Sequence, residues 1–102
     1  MMSQNIQINL DSLLLMQRLD RSATINQLKY LLFLANTEGA LVPVKVIVDY
    51  FGFERHTHDK VLNRLVNIDL IKVEVEATSA KAQRRKVRLT TAGIEFCRQM
   101  SC

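Results

Sequence analysis

Residues Arg55 to Val75, RHTHDKVLNRLVNIDLIKVEV, decide the fold, because within them a helical period passes directly into an alternating one. Val61, Leu62, Leu65 and Ile68 recur at helical spacing and define one apolar face, which must be buried. The opposite face carries Arg55, His56, Lys60, Asn63, Arg64 and Asn67. These are cations and short hydrogen-bonding groups of the kinds that reach base edges and phosphates. After Leu70 the pattern alternates. Ile71, Val73 and Val75 fall on one side and Lys72, Glu74 and Glu76 on the other, as in a strand with one face in water. A helix over 55–68 therefore feeds a strand over 70–77.

Upstream of this stretch, Asn9 or Asp11 is placed to cap a helix whose apolar residues Leu10, Leu13, Leu14, Met16 and Leu19 cover more than one side. Such a helix calls for two partners, the body of the domain and either a second chain or a wide core. Ser22 or Thr24 caps the next helix, which runs through Ile25, Leu28, Leu31, Leu32 and Leu34 to about Asn36 and forms the centre of the core. Gly39 can take the left-handed conformation that ends it. Leu41 and Val42 suit a short strand, and Pro43 suits the first turn of a helix lined by Val44, Ile47, Val48 and Phe51. Gly52 and Phe53 connect that helix to the one beginning near Arg55, which makes a helix-turn-helix.

Downstream, Thr78 to Gln83 is small and polar, and Arg84 to Leu89 alternates again with Val87 and Leu89 facing inward. Two strands with a basic tip make a wing. Thr90 or Thr91 caps a last helix through Ile94, Phe96, Cys97 and Met100. The expected class is mainly α with a small antiparallel β wing, a winged helix-turn-helix domain over residues 1–102. The first and last helices are its expected dimerisation elements.

Charge indicates a partner. The chain has 102 residues, 48% of them hydrophobic, and a formal net charge of +4. Residues 1–50 carry four basic and four acidic side chains, residues 51–102 ten and six, so the whole excess lies in the second half. Lys81, Arg84, Arg85, Lys86 and Arg88 crowd into eight positions with no acid nearer in sequence than Glu76. Such a density repels itself unless it is solvated or opposite a polyanion.

Other classes find less in the sequence. The longest apolar run, around Tyr30 to Ala35, is too short for a bilayer, and MMSQNIQINL lacks a basic segment followed by an apolar one, so a cytoplasmic location is expected. Cys97 and Cys102 stand apart from any His or Cys at metal-ligand spacing, and His56 and His58, two apart on a helix, point in different directions. No metal and no cofactor are expected. No nucleophile, base and orienting group stand at recognisable spacing, so no enzymatic activity is expected either.

The order of elements resembles the winged helix-turn-helix of the MarR (multiple antibiotic resistance regulator) family over roughly Thr24 to Met100. Val61-Leu62-Asn63-Arg64-Leu65 followed by Asp69-Leu70-Ile71 is similar to that family's end of recognition helix and entry to the wing. Arg88-Leu89-Thr90-Thr91-Ala92-Gly93 is similar to its entry to the last helix. Asp69 stands where the family has glycine, and Ala82-Gln83 precede Arg84-Arg85 where the family has an acid paired with arginine. The family continues into long C-terminal helices around a ligand pocket, so no small-molecule effector is expected here.

The resemblance implies a sequence-specific regulator of transcription, a repressor binding double-stranded DNA as a homodimer. Helix 55–68 would read the major groove through Arg55, His56, Thr57, Lys60, Asn63 and Arg64, with Thr57 on phosphate. Wing 78–88 would flank the duplex with Lys81, Arg84, Arg85 and Lys86. Asp59 would repel phosphate unless it holds Arg55 or Asn63 in place or accepts from a cytosine amino group, and His58, one turn before Leu62, is expected to be half-buried packing. The competing reading is a winged-helix module that binds protein and modulates a host or transcription-complex subunit.

Overall fold

The computed structural model describes residues 10–37, 39–77 and 83–100. In chain order the elements are α1 (Leu10–Gln17), α2 (Ile25–Ala35), β1 (Val42–Pro43), α3 (Val44–Phe51), α4 (Arg55–Asn67), β2 (Ile71–Ala77), β3 (Gln83–Leu89) and α5 (Thr91–Met100). The cap candidate Asn9, Glu38, the expected wing tip at 78–82 and Cys102 lie outside the described residues.

The apolar spacing of α2 makes it the centre of the packing. Leu28, Tyr30, Leu31 and Leu34 are buried, and α1, α4, α5 and β3 all pack against this helix. Thr24 is its extended N-cap, without a side-chain hydrogen bond, and Gly39 takes a left-handed φ of 82° in the turn that follows. Helix α3 buries Val44 and Ile47, and Gly52 ends it at a left-handed φ of 70°, donating its amide to the Val48 carbonyl. That turn delivers α4 against α2, with Val61, Leu62 and Leu65 buried.

The three strands are antiparallel in the order β1-β3-β2. Val73 and Val87 are cross-strand partners, as are Ile71 and Leu89, and Val42 joins Val87 from the other edge. Burial fades along β2 from Ile71 to Val75, which is 58% exposed, as the ribbon leaves the body. Two local expectations shift. The short strand is Val42–Pro43 rather than Leu41–Val42, because Val42 and Pro43 are the residues that pair with Val87 and Lys86 of β3. Pro43 is the extended residue before α3 (φ −60°, ψ 134°), not part of its first turn, and its missing N–H is harmless on an edge strand.

The end of α4 and the start of α5 are joined at one point. Leu70 donates its amide to the Leu65 carbonyl and Asp69 to that of Val66. This is the double bond pattern of a helix end whose next residue is left-handed. Asp69 has φ 63°, which explains why glycine suits this position. The Leu70 carbonyl accepts from the Thr90 amide, and the Thr90 hydroxyl donates to the Asp69 carbonyl at 2.6 Å and accepts from the Gly93 amide at 2.9 Å. Gly93 must lack a side chain, since a Cβ there would lie 2.0 Å from the Leu70 oxygen. The spacing of Asp69-Leu70 and Thr90-Thr91-Ala92-Gly93 is thus one steric and hydrogen-bonded contact. Gly93→Ala is expected to lower stability by about 2 kcal/mol or more in urea unfolding, by overpacking; a change below about 0.5 kcal/mol would contradict this contact.

Candidate nucleic-acid interface

Burying Val61, Leu62 and Leu65 turns the other side of α4 outward. Arg55, His56, Lys60, Asn63 and Asn67 are exposed and Thr57 is half-buried. None of Arg55, His56, Lys60 and Asn63 makes a side-chain hydrogen bond or ion pair with another described residue. Beside them Ser22 of the α1–α2 turn, the N-cap Thr24 and Asn26 of α2 line a cleft shared with His56, Thr57 and Lys60. Sequence reasoning had no signal for those three, which join α4 only through the packing of α2.

Arg64 behaves differently from its neighbours. Its guanidinium turns back to Asp20, at 3.1 and 3.2 Å from the two carboxylate oxygens, and both side chains are largely covered. Asp20 also accepts from the Ser22 amide and the Gln27 side chain. Burial alone would raise its pKa, but those donors and Arg64 together hold it below the ordinary carboxylate value. Arg64 ties α4 to the α1–α2 turn, so its place in the free reading row gives way to a structural pairing.

His58 is fully buried, with both ring nitrogens engaged, rather than half-buried packing. Its Nε2 lies 3.0 Å from the Tyr30 hydroxyl and its Nδ1 3.3 Å from Asp59 Oδ1. A neutral ring satisfies both partners: Nδ1–H donates to the carboxylate and Nε2 accepts from the phenol. Burial pushes the His58 pKa below the ordinary imidazole value, with Arg85 acting in the same sense and Asp59 against it. Burial likewise raises the Tyr30 phenol. The bond from His58 lowers the Asp59 pKa; burial opposes this, and Arg85 reinforces it.

Asp59 holds neither Arg55 nor Asn63. Its carboxylate meets Arg85 of the wing at 3.5 Å. The register explains why. Arg85, Val87 and Leu89 share one face of β3, and beyond the buried Val87 that face continues toward α4. Arg84, Lys86 and Arg88 occupy the other face, where Arg88 pairs with Glu74 at 3.4 Å and Lys86 stands opposite Glu74 in register. The basic cluster is therefore split between two faces, and two of its arginines meet acids, Arg88 with Glu74 and Arg85 with Asp59, the latter 26 positions away in sequence. Arg84 is exposed, and Lys81 lies outside the described residues. Cys97 is buried, which raises its thiol pKa to about 11.

Comparison with solved structures places this arrangement. The chain matches a mutant of MepR from a multidrug-resistant S. aureus clinical isolate with a TM-score of 0.74 and 21% identity, over 89% of this chain and 63% of that one. The fold the two share is a winged helix-turn-helix. A transcriptional regulator homologue from Pyrococcus horikoshii OT3 matches with a TM-score of 0.66 and 19% identity, over 84% and 85% of the two chains. The PcaV transcriptional regulator from Streptomyces coelicolor, in complex with its natural ligand, matches with a TM-score of 0.64 and 22% identity, over 88% and 62%. At such identities the likeness is one of fold, and this winged helix spans under two thirds of the length of MepR and of PcaV. No family model matches the sequence, and no curated protein matches it either. PcaV was solved with a ligand, so the expectation that a small-molecule effector is absent finds no support there. No described helix is long and apolar enough to cross a membrane.

Proposed function

We propose that this protein is a sequence-specific double-stranded DNA-binding transcriptional regulator, acting as a repressor. In it α4 enters the major groove and the basic wing flanks the duplex. One observation carries the proposal. Arg55, His56, Lys60 and Asn63 form an exposed row on α4 with no partner among the described residues, on a helix whose opposite side is core. Unpaired cations and an amide on a rigid helix suit base edges and phosphates. The fold shared with solved transcriptional regulators adds support. Arg84, Arg85 and Lys86, together with Lys81, supply phosphate contacts that position the protein without reading sequence.

A competing reading, a protein-binding module, draws on Val46 and Tyr50 of α3, which are 46% and 70% exposed. The two readings separate on substitution and salt. Lys60→Ala or Asn63→Ala should cost about 1–3 kcal/mol on a preferred duplex and much less on random DNA. Equal losses on both duplexes would make the residue a phosphate contact. Unchanged binding by a folded variant would favour the protein-binding module.

A homodimer is part of the proposal. Leu10 and Leu14 of α1, with Leu19 just beyond it, are 67%, 50% and 48% exposed. Leu15, Leu19, Ile68 and Phe96 line a groove between α1 and α5. An oily face of this kind suits a second copy, and two-fold regulators use paired half-sites. Sedimentation should give a dimer at protein concentrations on the order of tens of micromolar; a monomer there would contradict it.

A further inference from the structure

Asp59 poses a problem for a helix that approaches phosphates. Its carboxylate is 42% exposed on α4, next to Lys60, where it would repel a polyanion. Yet it has partners on both sides. Tyr30 from α2 is bonded to His58, His58 to Asp59, and Asp59 to Arg85 on β3. The chain runs from a fully buried phenol, through a fully buried imidazole, to an ion pair at the seam between helix and wing. With both its members about two-fifths exposed, that pair adds little to stability. Its effect is geometric, since it fixes one cation of the wing relative to α4.

On the DNA-binding reading above, we propose that Asp59 is a positioning residue. It holds Arg85, and through it the wing, in fixed register against the recognition helix, so that both meet one duplex as a single surface. Tyr30 acts through His58 to hold the Asp59 carboxylate in the orientation that faces β3. The repulsion of phosphate by Asp59 is offset by the contacts that an immobilised wing makes.

The claim predicts an effect opposite in sign to simple electrostatics. Removing an acid near DNA ordinarily tightens binding. Asp59→Asn, which keeps the shape and an acceptor for His58, should instead weaken duplex binding by roughly threefold or more, as expected for directly coupled groups. In an Arg85→Ala background the same substitution should leave binding unchanged or tighten it. Tighter binding in both backgrounds would make Asp59 merely a repelling acid, and equal weakening in both would show that it does not act through Arg85; either result overturns the proposal. A second measurement needs no DNA. The groups bearing on the His58 ring are the Tyr30 hydroxyl from α2, the Asp59 carboxylate from α4 and the Arg85 guanidinium from β3. Followed by NMR in the free protein, the His58 titration should move up in Arg85→Ala and down in Asp59→Asn. A titration unmoved by Arg85→Ala would overturn the coupling even if the protein binds DNA, whereas moved titrations without duplex binding would refute the DNA reading alone.

Discussion

The rotation of α4 about its own axis is set by a polar bond inside an apolar core. Tyr30 and His58 are both fully buried, and their hydroxyl and Nε2 lie 3.0 Å apart. A buried phenol or imidazole left without a partner costs about 1–3 kcal/mol. Leucines alone would tolerate a modest roll of the helix, because hydrophobic contact is not directional. The Tyr30–His58 bond does not, and by holding that roll it determines which side chains α4 presents outward. Everything assigned to Lys60 and Asn63 depends on it.

Around this bond the polar groups of α4 divide into those used within the molecule and those left over. Arg64 is engaged by Asp20, itself held by the Ser22 amide and Gln27. Asp59 is engaged by His58 and Arg85. What remains on the outer side is basic or amide-bearing: one cation and one acid are both engaged, so the positive charge of the helix is left on Arg55 and Lys60 with no other acid within it. The junction at Leu70, Thr90 and Gly93 serves the same end from below. It anchors the base of the wing to the last helix, while the Asp59–Arg85 pair meets the wing from α4.

Most of the fold is legible in the sequence because its signals are local. Helical spacing in α2 and α4, alternation in β2 and β3, and the glycines at 39 and 52 each act within a few residues. Pro43 misleads because a proline before a helix suits both an edge strand and a first turn, and only its pairing with Lys86 decides. The site is legible in part. Periodicity separates Lys60 and Asn63 from the core, but nothing near Arg64 in sequence announces Asp20, 44 positions away, and nothing near Asp59 announces Arg85. Ion pairs across such separations are products of topology. The same holds for Ser22, Thr24 and Asn26, which flank α4 only in the folded chain.

The central claim is that the free row on α4 reads duplex DNA, and selection of bound sequences from a random duplex pool by the purified protein tests it most directly. The account predicts enrichment of a palindromic motif whose half-sites lie about 10 base pairs apart, or a multiple of that, as for paired recognition helices. Its affinity should fall steeply as salt rises. A pool that returns with no sequence enriched, from a protein that is folded and dimeric, would contradict it.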